Sequence, residues 1–232
     1  MIWLLARSVV INACAVNCPG IFRKWAADLD NNQIIAFHPG AMNFSHDNHI
    51  DASLGAKLAI IAPDGKEGML QHAHECAAAG VPFVFDPGQG LPMFAADELS
   101  EFVRLADYIA VNDYEGKMLE DKTGTSLEAM ARKVKALVLT LGAQGSVIFA
   151  NGQRHEIPVV KAHAILDPTG CGDAYRAGLL FGIAMGWDWP STGRLGALMG
   201  SIKIEQRGAQ NHHMAQPEIV ERFKREFSYS PW

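Results

Sequence analysis

Short apolar runs alternate with helix-patterned stretches along most of this chain, and that alternation limits the fold more than any other feature. KLAIIAP (57–63) reads as a buried strand; Asp64 can cap a helix that runs to residue 79 and stops at Gly80. VPFVFDP (81–87) is the next strand, followed by a helix over 96–106 and the strand YIAVN (108–112). Helix fills much of 113–134. ALVLTLG (136–142) and SVIFA (146–150) are strands, the second pairing with what comes next, and 172–186 and 193–205 have a helical pattern. Strands with no polar face must be covered on both sides, so the expected class is α/β: a mostly parallel sheet sandwiched between helices. Ligands of such sheets sit beyond the C-terminal ends of the strands. This singles out the loops DPGQG, NDYEG, LGAQG and DPTGCGD.

Composition narrows the partners. The 232 residues carry a formal net charge of -5 and no run of Lys or Arg, which leaves no electrostatic footprint for nucleic acid. Cys14, Cys18, Cys76 and Cys171 are scattered, form no CxxC pair, and fit a reducing compartment better than a disulfide framework. No apolar stretch is long enough to span a bilayer. The opening MIWLLARSVVINACAV has the look of a signal peptide, but its one basic residue, Arg7, splits the apolar run instead of preceding it. A cytoplasmic protein is expected. Residues 1–25 show neither strand alternation nor caps, so 1–27 is set apart as an atypical segment and 28–232 as one α/β domain.

The densest candidate is Asp167-Pro168-Thr169-Gly170-Cys171-Gly172-Asp173, followed by helix. Glycines let a ligand approach the backbone. The amides of Gly170, Cys171 and Gly172 at the helix start would form an anion site with the helix dipole. Asp173 lies in the same first turn. It can take a proton from an attacking hydroxyl, or simply complement the helix N-terminus; the local pattern leaves both open. Asn112-Asp113-Tyr114-Glu115 has capping-box spacing, directly after a strand. Thr140-Leu141-Gly142-Ala143-Gln144-Gly145 is a glycine turn between two strands. Neither Gly-x-x-x-x-Gly-Lys-Ser/Thr nor Gly-x-Gly-x-x-Gly occurs, which disfavours P-loop enzymes and Rossmann dehydrogenases. His74 sits two residues from both His72 and Cys76 on a helix and shares a face with neither. His46 and His49 lack further ligands, and His212 and His213 follow a loop. Gly178, Gly182 and Gly186 recur every four residues, a face suited to close packing against the sheet.

DPTGCGDAYRAG resembles the C-terminal signature of the PfkB/ribokinase family of small-molecule kinases. The resemblance implies a ribokinase-like fold in which Gly170, Cys171 and Gly172 line an anion hole and Asp173 is the catalytic base. It puts Asp167 and Thr169 where family members help hold a monovalent cation such as K+. It makes Asn112 and Glu115 organisers of the ATP phosphates and of Mg2+, with Glu115 acting through water. Thr140, Gly142 and Gly145 would lie against the nucleotide, and Gly208, in Arg207-Gly208-Ala209-Gln210-Asn211, near the adenine and the cation. The stretch from Asp28 to Met42, and Phe85-Asp86-Pro87-Gly88-Gln89, are similar to the adenosine-kinase-like branch. The implied reaction moves the γ-phosphoryl of ATP to the primary hydroxyl of a ribonucleoside. A sugar kinase of the same family is the alternative. The family's lid, first strands and Gly-Gly hinge are not recognisable ahead of Asp28, so an inactive remnant that only binds nucleotide is a further alternative.

Overall fold

The computed structural model describes residues 22–27, 33–50 and 55–232. Strands β1 (Phe22–Ala27) and β2 (Gln33–His38) pair antiparallel as a separate two-stranded sheet, so strand structure begins ahead of Trp25, where the sequence shows no alternation. The rest of the opening, and Asp28 to Asn32, lie outside the described residues.

The main sheet runs in chain order: β3 (Ala59–Ile61), β4 (Phe83–Phe85), β5 (Tyr108–Asn112), β6 (Ala136–Thr140), β7 (Ser146–Ala150) and β8 (Gln153–Ile157). The β3–β6 pairings are parallel, and β7 and β8 return antiparallel. The helices are α1 (Lys66–Ala79), α2 (Ala96–Leu105), α3 (Asp113–Thr123), α4 (Leu127–Ala131), α5 (Cys171–Ala184), α6 (Trp189–Ile204) and α7 (Gln216–Phe227). This is the expected ribokinase-like sandwich. None of the described helices is long and apolar enough to cross a membrane.

Strand side chains alternate between faces, and the core follows that period. Phe83, Phe85, Ile109, Val111 and Leu137 point to the side of α1–α4, where they meet Met69, Leu99, Phe102 and Leu119. Phe102 stacks on Phe85 at 4.3 Å between centroids. Val84, Ala110, Val138 and Ile148 point the other way, onto Tyr175 and Leu179 of α5. Beyond them α6 and α7 close a further layer around Leu198, Ile202 and Phe223. α7 has no counterpart in the sequence analysis.

Two local expectations are corrected. Asp64 does not cap α1: Gly65 is the N-cap residue, and Asp64 Oδ1 accepts the Gly65 amide at 2.8 Å. The carbonyl of Met42 crowds position 65, where a Cβ would lie 2.1 Å from it. The glycine stripe of α5 packs on α6, not on the sheet. A Cβ at Gly178 would meet Gly196 backbone atoms at 2.8 Å, and one at Gly182 the Thr192 hydroxyl at 2.6 Å. Gly186 sits past the helix at φ +68° in open space.

Because the atoms facing Gly178 are backbone, overpacking there cannot be relieved by a rotamer change. Gly178→Ala is expected to cost about 1–3 kcal/mol of unfolding free energy, read from urea denaturation. Gly186→Asn, at a left-handed position that Asn tolerates, should shift the midpoint much less.

Candidate active site

The parallel strands deliver their C-terminal ends to one edge of the sheet. Asp86 follows β4 directly, its amide bonded to Ile61 O at 2.9 Å. Asn112 ends β5 and lies in register beside Thr140, the last residue of β6. Ser146 opens β7 opposite Thr140 and pairs with Ile157, the end of β8. The N-terminus of α5 is pinned to this edge: Tyr175 and Ser146, both buried, join their hydroxyls at 2.8 Å. Burial pushes the Tyr175 phenol up to about 12, so it stays a neutral hydrogen-bonding group.

The loop before α5 is a tight turn. Gly170 is its N-cap residue at φ +81°, pressed on the backbone of Ala209, whose carbonyl a Cβ would meet at 3.0 Å. Of the three amides expected to face an anion, that of Cys171 is used inside the turn, donating to Pro168 O at 3.1 Å. The amides of Gly170 and Gly172 have no partner among the described residues. Asp173 stands exposed in the first turn beside them.

Asn112 and Glu115 form a complete capping box. Asn112 Oδ1 accepts the Glu115 amide at 2.7 Å, and Glu115 Oε2 accepts the Asn112 amide at 2.8 Å. The box also has a third member: Arg176 Nη2 lies 3.6 Å from Glu115 Oε2, while its Nε contacts Asp86 Oδ2. All three side chains are nearly inaccessible to solvent. This Asp86–Arg176–Glu115 cluster joins β4, α3 and α5, and Arg176 Nη1 reaches the space beside Gly172, where a Cβ would lie 3.0 Å from it. Burial pushes the Asp86 carboxyl up to about 6, and the charges of Glu115 and Asp173 add to this against the pull of Arg176. Sequence reasoning missed Asp86 and Arg176 as site residues. The only signal was their place inside DPGQG and GCGDAYRAG.

The remaining expected residues fall in two places. Gly142 and Gly145 shape the β6–β7 turn at this edge: Leu141 N–H donates to Gly145 O at 2.8 Å, and a Cβ at Gly145 would strike Ile157 O. The Thr140 hydroxyl makes a long contact, 3.5 Å, to Val111 O. Asp167, Thr169 and Gly208 form a separate group. Asp167 Oδ1 accepts the Thr169 amide at 2.9 Å and Oδ2 the Gly208 amide at 2.8 Å. The Thr169 side chain, these two amides and the nearby Lys203 hold the carboxyl at about 2.

Among the described residues no group of three or more His, Cys, Asp or Glu could hold a metal ion. His72 bonds Asn48 O at 3.0 Å, His49 bonds Glu75 at 2.7 Å, and Cys76 is buried with its thiol pushed up to about 11.

The sequence pattern of the pfkB family carbohydrate kinases matches residues 25–216, and the chain belongs to that family. It is 33% identical over 200 residues to the nucleoside kinase of Methanocaldococcus jannaschii, covering 85% of this chain and 65% of that protein. It is 29% identical to the nucleoside kinase of Methanothermobacter thermautotrophicus, covering 88% and 66%. The chain thus spans about two thirds of the length of these relatives. The solved structure of the Burkholderia thailandensis nucleoside kinase in complex with inosine superposes with a TM-score of 0.89 at 50% identity, over 93% of this chain and 71% of that one. That enzyme has also been solved with ADP-inosine.

The carboxyl of Asp86 makes a titration prediction. Its pKa is raised on folding, from 3.8 to about 6. The folded protein therefore holds a proton in that interval that the unfolded chain releases. The stability this provides is full below the lower value and is lost as pH rises through the upper one. Denaturation of wild type and Asp86→Asn at several pH values should show the wild type losing on the order of 2 kcal/mol relative to the variant across this window. A difference independent of pH would show that Asp86 ionises as an ordinary acid.

Proposed function

We propose that this member of the pfkB family transfers the γ-phosphoryl of ATP to the primary hydroxyl of a ribonucleoside, with Asp173 as the base. The observation that carries this reading is the start of α5, where an exposed carboxylate stands among amides that have no partner among the described residues. A helix N-terminus with free amides binds anions. A carboxylate beside bound phosphate would weaken that binding, unless it serves the acceptor. In the proposed step Asp173 takes the proton of the hydroxyl as its oxygen bonds to the γ-phosphorus. The bond from that phosphorus to the bridging oxygen breaks, and ADP leaves with the electron pair. The Gly170 and Gly172 amides stabilise charge on the transferring group. The similarity to nucleoside kinases, one of them solved with inosine, supports a ribonucleoside as acceptor.

Magnesium fits the residues present in one manner only. Glu115 is buried, and its Oε2 is committed to the Asn112 amide and Arg176. It leaves a single oxygen for a metal-bound water. Such a donor set suits a hydrated magnesium carried by phosphates, not a protein cage. Bound so, the ion would offset phosphate charge; Glu115 and Asn112 would hold its waters, and Thr140, beside Asn112, would border the same space. The glycine turn at Gly142 and Gly145 and the loop at Gly208 would flank the nucleotide.

The test is ADP release with magnesium and a panel of ribonucleosides and sugars, wild type beside Asp173→Asn. Release that depends on a ribonucleoside and falls by about 10²–10⁴-fold in the variant is expected, with nucleotide affinity retained. Release with sugars alone would reassign the acceptor. A folded protein that binds nucleotide but gives no acceptor-dependent ADP, or a variant that matches wild type, would overturn the reading.

A further inference from the structure

Lys203 lies at the end of α6 with none of its surface exposed. A lysine this deeply buried almost always has an anionic partner. Here no carboxylate lies within ion-pair distance among the described residues. The ammonium donates instead to two backbone carbonyls, Asp167 O at 2.7 Å and Gln206 O at 3.1 Å. This is the manner in which proteins hold a bare monovalent cation, with carbonyl dipoles replacing water.

The place is also the one where the sequence led us to expect such an ion. Asp167 and Thr169 are the residues assigned to it, and Gly208, expected near the adenine and the cation, is bonded to Asp167. The Asp167 oxygens that could serve such an ion are already engaged. Both carboxylate oxygens of Asp167 are engaged by the Thr169 and Gly208 amides, and its carbonyl is engaged by Lys203. The neighbourhood already feels the ammonium: it helps hold the Asp167 carboxyl down, and burial together with Lys203 depresses the His212 imidazole. A second cation would face like-charge repulsion and a depleted set of oxygens. The residues do not fit a free alkali ion.

We propose that the side chain of Lys203 is a built-in monovalent cation: it takes the place of a potassium ion, ties the Asp167–Gly170 turn to the 206–209 segment, and makes the protein indifferent to potassium. Lys203 acts as a positioning residue. Its carbonyl contacts set the turn whose far end presents Gly170, Gly172 and Asp173, and Gly170 rests on Ala209 of the segment it anchors. The consequence for nucleotide rests on the reading of that turn as the phosphate-facing loop. The consequence for cation dependence does not.

Two measurements on the full chain test it: melting temperature without nucleotide, and the Kd for ATP with magnesium. Each is taken in potassium chloride and in choline chloride at equal ionic strength. Wild type is expected to melt at the same temperature in both salts and to change its Kd by less than about twofold. Lys203→Ala, which vacates the space, should melt lower in choline and recover saturably with potassium, its Kd improving by about tenfold or more. Lys203→Met fills the space without the charge and should not be rescued. A saturable rise in the wild-type melting temperature with potassium would overturn the proposal. So would a folded Lys203→Ala no more responsive than wild type. If Lys203→Ala fails to fold in either salt, the wild-type titration decides. Because the melting arm contains no nucleotide, a protein without kinase activity still gives a clear answer.

Discussion

Arg176 is one guanidinium set against three acids. It contacts Asp86 and Glu115 directly and lies within the field of Asp173. Burying such a cluster brings a desolvation penalty that the Coulomb gain need not exceed, so its value is not best read as stability. What it fixes is relative placement. Asp86 hangs from β4, Glu115 belongs to the first turn of α3, and Arg176 is one turn along α5 from Gly172. The only arrangement in which all three are compensated is the one that brings the start of α5 over the ends of β4 and β5. Any shift that separated them would leave a buried charge alone, and that is far costlier than the cluster itself.

A second buried cation works from the opposite side of the same loop. Lys203 holds the carbonyl of Asp167, and Asp167 in turn gathers the amides of Thr169 and Gly208. The turn from Asp167 to Gly170 is thus threaded between an arginine balanced by carboxylates and a lysine balanced by carbonyls. Both positive charges are fixed and dry. Between them the described anionic group with room to move is Asp173, which is exposed. For the proposed reaction this charge layout would favour an anion at the helix start and keep one carboxylate available to a neutral hydroxyl.

What could be read from the chain alone was whatever is encoded locally. β5 and β7 match their expected bounds because apolar runs end at strong punctuation: Asn112 with Glu115 three residues on, and glycines at 142 and 145. The PfkB resemblance was legible because its glycines and acids are contiguous. Arg176 and Asp86 were not, since their meaning lies in each other, 90 positions apart. Lys203 reads in sequence as an ordinary last-turn lysine favoured by the helix dipole. Only the carbonyls of Asp167 and Gln206, brought in by the fold, show otherwise. The Cys171 amide was expected to be free because helix starts leave amides unpaired; the turn made by Pro168 consumes one of them. α7 did have a signal, Pro217 in its first turn and Ile219 with Phe223 four apart, but its apolar stripe is narrow and its other face is charged.

The proposed phosphoryl transfer would demand that α5 be held to a fraction of an ångström, because a base slightly out of line loses most of its effect. Three contacts of different chemistry supply this. At its start the Arg176 cluster resists translation along the sheet edge. One residue earlier the Tyr175–Ser146 hydroxyl pair resists rotation about the helix axis, since Tyr175 must stay turned toward β7. Farther along, Gly178 lets α6 approach until backbone meets backbone and Gly182 makes room for Thr192, which fixes the tilt. Hydrophobic packing alone would tolerate small slips, because apolar contact is non-directional. Polar contacts at one end and bare backbone at the other do not, and this is why the residues that aim Asp173 include glycines and a buried tyrosine as well as the charged groups around it.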